Sequence, residues 1–187
     1  MTGNEAVLHL LEAMELHGID YMVTGSYASN VHGIPRSTKD ADLIVEAPSR
    51  ELEKLLDALA PPLRPDPQML FETVTSSKRW IVRVDGSEFV VEIFLLNSHP
   101  FDRSRFDRRI RVEVFPGIEA ALPTAEDVIV QKLRWSARAG RPKDLQDASD
   151  VIAVQGAGLD WPYIERWCDQ LDASEVLREA RAMADEV

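Results

Sequence analysis

Apolar residues recur along the chain with two different periods. Residues 4–17 carry Val7, Leu8, Leu10, Leu11 and Met14 at helical spacing, and Gly18 closes that predicted helix. Residues 20–24 form a short run whose Tyr21, Met22 and Val23 favour a strand. Gly25-Ser26 interrupts it, 27–32 predicts a short helix ending at Gly33, and 34–39 reads as a loop. Residues 40–46 predict a second strand with Leu43, Ile44 and Val45 as its buried part. Ser49 is placed to cap a helix over 50–60, which Pro61-Pro62 stops. The middle predicts strands at 70–74, 79–84 and 88–96, with Asp85-Gly86-Ser87 as the hairpin turn between the last two. Residues 109–114 alternate charged positions with Ile110, Val112 and Val114, the pattern of an edge or half-exposed strand. After Pro123 the period is helical: 124–139 capped by Thr124, 142–154 opened by Pro142, then 160–171 and 173–185. The pattern therefore predicts an α/β (α+β) sheet region over 1–122 and a helical region over 123–187, able to share one core.

Composition narrows the class. A chain of 187 residues is one domain, or one with a small appendage, and 45% hydrophobic with 28% charged residues is ordinary for a soluble protein. The single cysteine, Cys168, rules out an internal disulfide and reads as buried packing. No apolar run reaches the roughly 20 residues that span a bilayer, and the acidic amphipathic start lacks a basic signal-peptide region. No membrane and a cytoplasmic location are the expectation. Lys plus Arg is 21 against 32 Asp plus Glu, a net charge of −11, which argues against coating nucleic acid by bulk charge. The basic residues are nonetheless clustered. Arg103, Arg105, Arg108, Arg109 and Arg111 form one group, and Lys132, Arg134, Arg138, Arg141 and Lys143 another. Each is a solvated face or a local basic groove.

Candidate chemistry begins with Gly25-Ser26, followed thirteen residues later by Asp40-Ala41-Asp42. Strand alternation puts Asp40 and Asp42 on one side, where two carboxylates repel unless a cation lies between them. Hard oxygen ligands suit Mg²⁺ or Mn²⁺, while two solvated acids at a strand edge would need no ion. A small residue at a strand end that opens a helix lets phosphate approach backbone N–H groups. Arg36 and Lys39 lie on the intervening loop, within reach of the same anion. Glu92, inside the apolar run 89–96, is costly to bury unless paired, metal-bound or at an edge facing water. Lys132 has Val128, Ile129, Trp135 and Ser136 as its helix neighbours, so its ammonium needs a partner, a ligand or a path to the surface. Asp144 and Asp147 are three apart and share a helix face, placed to orient Lys132 or Arg138, or simply facing solvent. His32 reads as a helix-end residue satisfying a carbonyl, and Trp80, Trp135, Trp161 and Trp167 as core or groove walls.

Gly25-Ser26, Asp40-x-Asp42 and the later acid Glu92 together resemble the nucleotidyltransferase superfamily, the DNA polymerase β-like fold. That resemblance implies a mixed sheet flanked by helices, an NTP substrate, and three carboxylates, Asp40, Asp42 and Glu92, holding two divalent ions. The first two would bind the metal of the triphosphate, and the third is linked to activation of the attacking hydroxyl. Glu92 stands where many members carry Asp. Residues 27–42, YASNVHGIPRSTKDAD, and 123–147, PTAEDVIVQKLRWSARAGRPKDLQD, look like the narrower AbiEii/AbiGii abortive-infection group, over about residues 20–155. The resemblance places Gly25, Ser26, Arg36, Thr38, Lys132 and Asp144 at the nucleotide. It implies transfer of a nucleoside monophosphate to an RNA or tRNA 3′ end, to a small molecule or to a protein hydroxyl, with a toxin role and an antitoxin partner in the first case. Two other readings stay open: a nucleotide-binding or interaction module that lost turnover, and an unrelated acidic α/β protein whose Asp pair is surface decoration.

Overall fold

The computed structural model describes residues 1–115 and 117–185, with only the backbone of Phe115. Its elements run α1 (Gly3–Leu16), β1 (Asp20–Thr24), α2 (Gly25–His32), β2 (Asp40–Glu46), α3 (Ser49–Asp57), β3 (Leu63–Pro65), β4 (Leu70–Glu72), β5 (Ser77–Val84), β6 (Val90–Leu95), α4 (Pro100–Asp107), β7 (Ile110–Phe115), β8 (Ile118–Leu122), α5 (Ala125–Ala139), α6 (Pro142–Gln155), α7 (Trp161–Gln170) and α8 (Ser174–Ala184). The main sheet has the order β1-β2-β6-β5-β3, with β4 also on β5. Only β2 and β6 run parallel among its described pairs. β7 and β8 form a separate antiparallel pair. The expected α/β arrangement, a mixed sheet flanked by helices and then a helical bundle, is the one that forms.

Local chemistry explains most boundaries. Thr2 and Glu5 cap α1 reciprocally, and Thr124 accepts from the Asp127 backbone N–H to start α5 as its spacing predicted. Ser49 is not a cap: Pro48 holds that position without a side-chain bond, and the helix ends at Asp57. The strand expected over 70–74 stops at Glu72, whose carboxylate accepts from the N–H groups of Val74 and Thr75 and turns the chain. The strand expected from residue 88 starts at Val90, because the Ser87 hydroxyl accepts from the Phe89 N–H and prolongs the turn. Three elements were not expected. β3 contains a proline, β8 is alanine-rich and needs β7 as its partner, and α4 is short and half charged.

Strand alternation gives the sheet two unlike faces. Tyr21, Val23, Leu43, Val45, Val91 and Ile93 point into the main core, which runs through Met14 of α1, Ile129 of α5, Val151 of α6 and Ile164 of α7. Residues from both sides of Leu122-Pro123 contribute to it. On the opposite face the register sets Met22, Ile44, Phe94 and Arg79 in one row and Thr24, Asp42, Glu92 and Ile81 in the next. Phe106 of α4 covers Met22 and Ile44, a burial worth about 2 kcal/mol. α4 thus closes one end of this face, and the end carrying Asp40, Asp42 and Glu92 borders a cleft.

His32 ties the sheet region to the helices. Its buried ring Nε2 lies 2.9 Å from the Pro123 carbonyl, to which it donates, as a helix-end residue satisfying a carbonyl should. Its own carbonyl accepts from Gln155 at 2.7 Å. Burial holds the imidazole below its usual pKa, outweighing the Pro123 bond and the charge of Glu126. Below about pH 6.5 the unfolded chain takes up a proton that the folded chain refuses, so stability is full above that pH and falls as pH drops. His99, also lowered by burial, acts with the same sign. The urea midpoint is therefore expected to be lower at about pH 5.5 than at about pH 7.5. In His32→Gln, whose amide still donates but does not titrate, the difference should shrink; an undiminished difference would remove His32 as the cause.

Candidate active site

The open end of the sheet is built around Gly25. β1 ends at Thr24, and α2 begins at Gly25 with φ at +63°. A Cβ at this position would lie 1.9 Å from Asp42 Oδ2, so only glycine lets the backbone rest against that carboxylate. Asp42 has Thr24 beside it on β1 and Glu92 on β6. Asp40 is one pleat away, its Oδ1 accepting from the Thr38 hydroxyl at 2.5 Å. Glu92 does not face water at a sheet edge, because β6 lies between β2 and β5. Its Oε2 instead pairs with Arg79 Nη1 at 2.9 Å.

Three carboxylates therefore crowd one patch. Burial, then the charges of Glu92 and Asp40, push the Asp42 carboxyl up to about 7, against the pull of Lys132. A divalent cation would relieve that repulsion, and the donors are all hard oxygens. Among the described residues no three His, Cys, Asp or Glu side chains form a ready-made metal cage.

The facing wall comes from α5 and α6. Lys132 Nζ lies 2.9 Å from Asp144 Oδ1 and 2.7 Å from Asp147 Oδ2. The shared face expected from the three-residue spacing is present, and it reaches Lys132; Arg138 donates to the Val74 carbonyl instead. Asp147 also receives a two-pronged bond from Arg36, Nε at 2.7 Å and Nη2 at 2.6 Å. Burial opposes ionisation of Asp147, but Arg36 and Lys132 hold its carboxyl below the usual range. The same Arg36 Nη2 donates to Ser26 Oγ at 3.1 Å. Asp147 thereby joins the 34–39 loop, α5 and α6 in one network.

Gly25, Ser26, Asp40, Asp42, Glu92, Lys132 and Asp144 all line a single cleft of about 690 Å³. Arg36 and Thr38 are not among its lining residues; they donate to Ser26 and Asp40, which are. Arg79 lines the cleft without having been singled out by sequence, as does Phe71. Trp135 is a groove wall, with the Arg141 guanidinium 4.4 Å from its ring centroid, while Trp80 and Trp167 are buried. Cys168 is buried packing as expected.

The local basic groove considered for 103–111 is corrected. Each guanidinium there is matched to a carboxylate: Arg103 to Glu46, Arg105 to Asp102, Arg108 to Asp127, Arg109 to Asp20 and Arg111 to Glu15. From the second group, Arg134 is also spent, on Asp102 at 3.0 Å.

No family profile matches the chain, and no curated protein sequence matches it. Solved structures do. ANT(2″)-Ia in complex with adenylyl-2″-tobramycin is similar over 93% of this chain and 99% of its own, with a TM-score of 0.61 and 14% identity. The lincomycin-bound lincosamide antibiotic adenylyltransferase LnuA is similar over 80% and 96%, with a TM-score of 0.51 and 12% identity. The fold is that of the nucleotidyltransferases. JHP933 from Helicobacter pylori shares it over 95% of this chain and 88% of its own, at a TM-score of 0.53 and 16% identity. At such identities the likeness is one of architecture, and the nucleotidyltransferase fold accounts for the mixed sheet with helices on its flanks. No helix among the described residues is long and apolar enough to cross a membrane.

Proposed function

We propose that the chain is a metal-dependent nucleotidyltransferase that moves a nucleoside monophosphate from an NTP to a hydroxyl of a small-molecule acceptor. The observation that carries this reading is the convergence of Asp40, Asp42 and Glu92 with the Gly25-Ser26 turn and Lys132 in one cleft. Asp40 and Asp42, with Glu92 as a third ligand, would hold Mg²⁺ or Mn²⁺, which when bound stabilises the entering and leaving oxygens of an in-line displacement. Ser26 and the first amides of α2 orient the phosphates. Lys132, fixed by Asp147, sets positive charge beside the leaving pyrophosphate, and Arg36, held by the same carboxylate, orients Ser26. The acceptor oxygen bonds to the α-phosphorus, the bond from that phosphorus to the β-bridging oxygen breaks, and Glu92 takes the hydroxyl proton.

A small acceptor is favoured by three facts. The 103–111 arginines are each paired with a carboxylate, the net charge is −11, and a cleft of about 690 Å³ is of small-ligand size. The names of the similar ANT(2″)-Ia and LnuA structures, with adenylyl-tobramycin and lincomycin, support the same class. An RNA or tRNA 3′ end, the acceptor of a toxin held by an antitoxin, is the class carried by the abortive-infection resemblance. A nucleotide-binding module without turnover is the second reading, favoured by the Arg79 pair that occupies Glu92.

The test supplies each α-labelled NTP with Mg²⁺ or Mn²⁺ and either a small-molecule extract or bulk tRNA, beside an Asp40→Asn/Asp42→Asn variant. Label should enter the small-molecule fraction and fall at least about a thousandfold in the variant, the several kcal/mol that metal stabilisation supplies. Label in RNA would transfer the reading to the toxin class. NTP binding without pyrophosphate release would favour the inactive module.

A further inference from the structure

Arg79 occupies a position that the reaction as described does not use. The antiparallel register sets it opposite Phe94, one diagonal step from Glu92, on the same sheet face as Asp42. Its guanidinium carbon lies 6.0 Å from the Phe94 ring centroid, and its Nε is buried without a hydrogen-bond partner. Among the described residues only Nη1 is spent, on Glu92 Oε2 at 2.9 Å. Both side chains line the cleft and are about a quarter exposed, at 28% and 23%. The three acids are therefore unequally engaged. Asp40 accepts from a neutral hydroxyl, Asp42 forms no hydrogen bond or ion pair among the described residues, and Glu92 alone is held by a full positive charge.

We infer that Arg79 is a counter-ion latch that keeps Glu92 out of the ion site until a polyphosphate arrives. The inference rests on the proposed reading of Asp40, Asp42 and Glu92 as ion ligands. An arginine does not lose its proton, so no change of pH in the working range frees Glu92, and a competing anion is what draws the guanidinium away. A divalent cation alone does not offer one; a triphosphate does, with oxygens that match a planar fork. Before nucleotide binds, the ion meets two carboxylates and a nearby positive charge. Once Arg79 has turned to phosphate, Glu92 completes the set. Metal and triphosphate then bind as one event, and the empty protein does not accumulate a fully coordinated ion. Arg79 is a positioning residue, because it acts through Glu92.

The test reads Mn²⁺ affinity of the full chain, with and without a non-hydrolysable NTP. Without nucleotide, Arg79→Met should bind Mn²⁺ about tenfold more tightly than the wild type, the scale on which an added carboxylate ligand tunes a hard-cation site. The gain should vanish in Arg79→Met/Glu92→Gln, and Arg79→Lys should stay near the wild type. With the NTP analogue present, wild type and Arg79→Met should converge. Glu92→Gln serves if Arg79→Met does not fold: its Mn²⁺ affinity should match the wild type without nucleotide and weaken only with it. A folded Arg79→Met that gains nothing, or a Glu92→Gln that weakens Mn²⁺ binding without nucleotide, would overturn the latch. The underlying reading fails separately, if Asp40→Asn/Asp42→Asn binds Mn²⁺ as the wild type does.

Discussion

Replacing Gly25 with alanine is expected to lower nucleotidyl transfer at least about a hundredfold, the scale of a 1 Å misplacement of a reacting group. Two effects combine. The backbone at Gly25 is left-handed, with φ at +63°, which costs an L-residue roughly 1–2 kcal/mol. The new methyl would also meet Asp42 Oδ2 at 1.9 Å, and ordinary contact begins near 3.4 Å. The carboxylate must therefore move by more than 1 Å, or β1 must separate from β2. Gly18 separates the two costs, because its φ of +65° is nearly the same and nothing lies within 4 Å of its missing Cβ. Gly18→Ala should lose a similar increment of thermal stability and keep its transfer rate. If Gly25→Ala loses stability alone, with rate and Mn²⁺ affinity unchanged, Asp42 is not where the ion and phosphate meet.

How far this site was legible in the sequence depends on the distance between partners. β1 and β2 were found at their observed bounds, since short apolar runs between glycine, proline and polar loops have few alternatives. Thr124 and Pro142 marked the starts of α5 and α6, because capping is a matter of a few adjacent residues. The common side of Asp40 and Asp42 followed from strand period alone. The shared face of Asp144 and Asp147 followed from helix period, and with it their reach to Lys132. The hold of Asp147 on Arg36 spans 111 residues and leaves no local trace. Glu92 shows the boundary well. The cost of an acid in an apolar strand demanded a partner, yet the partner's identity waited on the β5–β6 register that sets Arg79 beside it. The 103–111 arginines looked like a basic patch because charge was read along the chain, while their carboxylates came from four other segments and from within α4.

The largest stability loss is expected at Asp102. This carboxylate is 1% exposed, and two equally buried cations depend on it: Arg105 on Oδ1 and Arg134 on Oδ2, both at 3.0 Å. Asn97 adds a third donor at 2.9 Å. Burial works against its ionisation, but Arg105 and Arg134 overcome that and hold the carboxyl below the usual range. Asp102→Asn removes the charge and strands both guanidiniums, a change of about 3–5 kcal/mol against a domain stability of about 5–15 kcal/mol. The urea midpoint should fall sharply, with the slope unchanged if the folded state is retained. The network is not fully satisfied even in the wild type, since Arg105 Nη1 and Arg134 Nε are buried without partners. Its members are therefore costly to break singly and cheap to remove together. Asp102→Leu/Arg105→Met/Arg134→Met should recover most of the loss, because apolar side chains of similar volume often equal a buried ion group. If the triple variant is as unstable as Asp102→Asn, packing around Arg134 rather than its charge holds α5 to α4. Lys132 lies two residues before Arg134 on α5, so the two ion groups fix that helix from different sides, one toward Asp102 of α4 and one toward the acids of α6. A rescued triple variant that keeps its Mn²⁺ affinity would show that the Asp102 group secures the wall without tuning the chemistry in front of it.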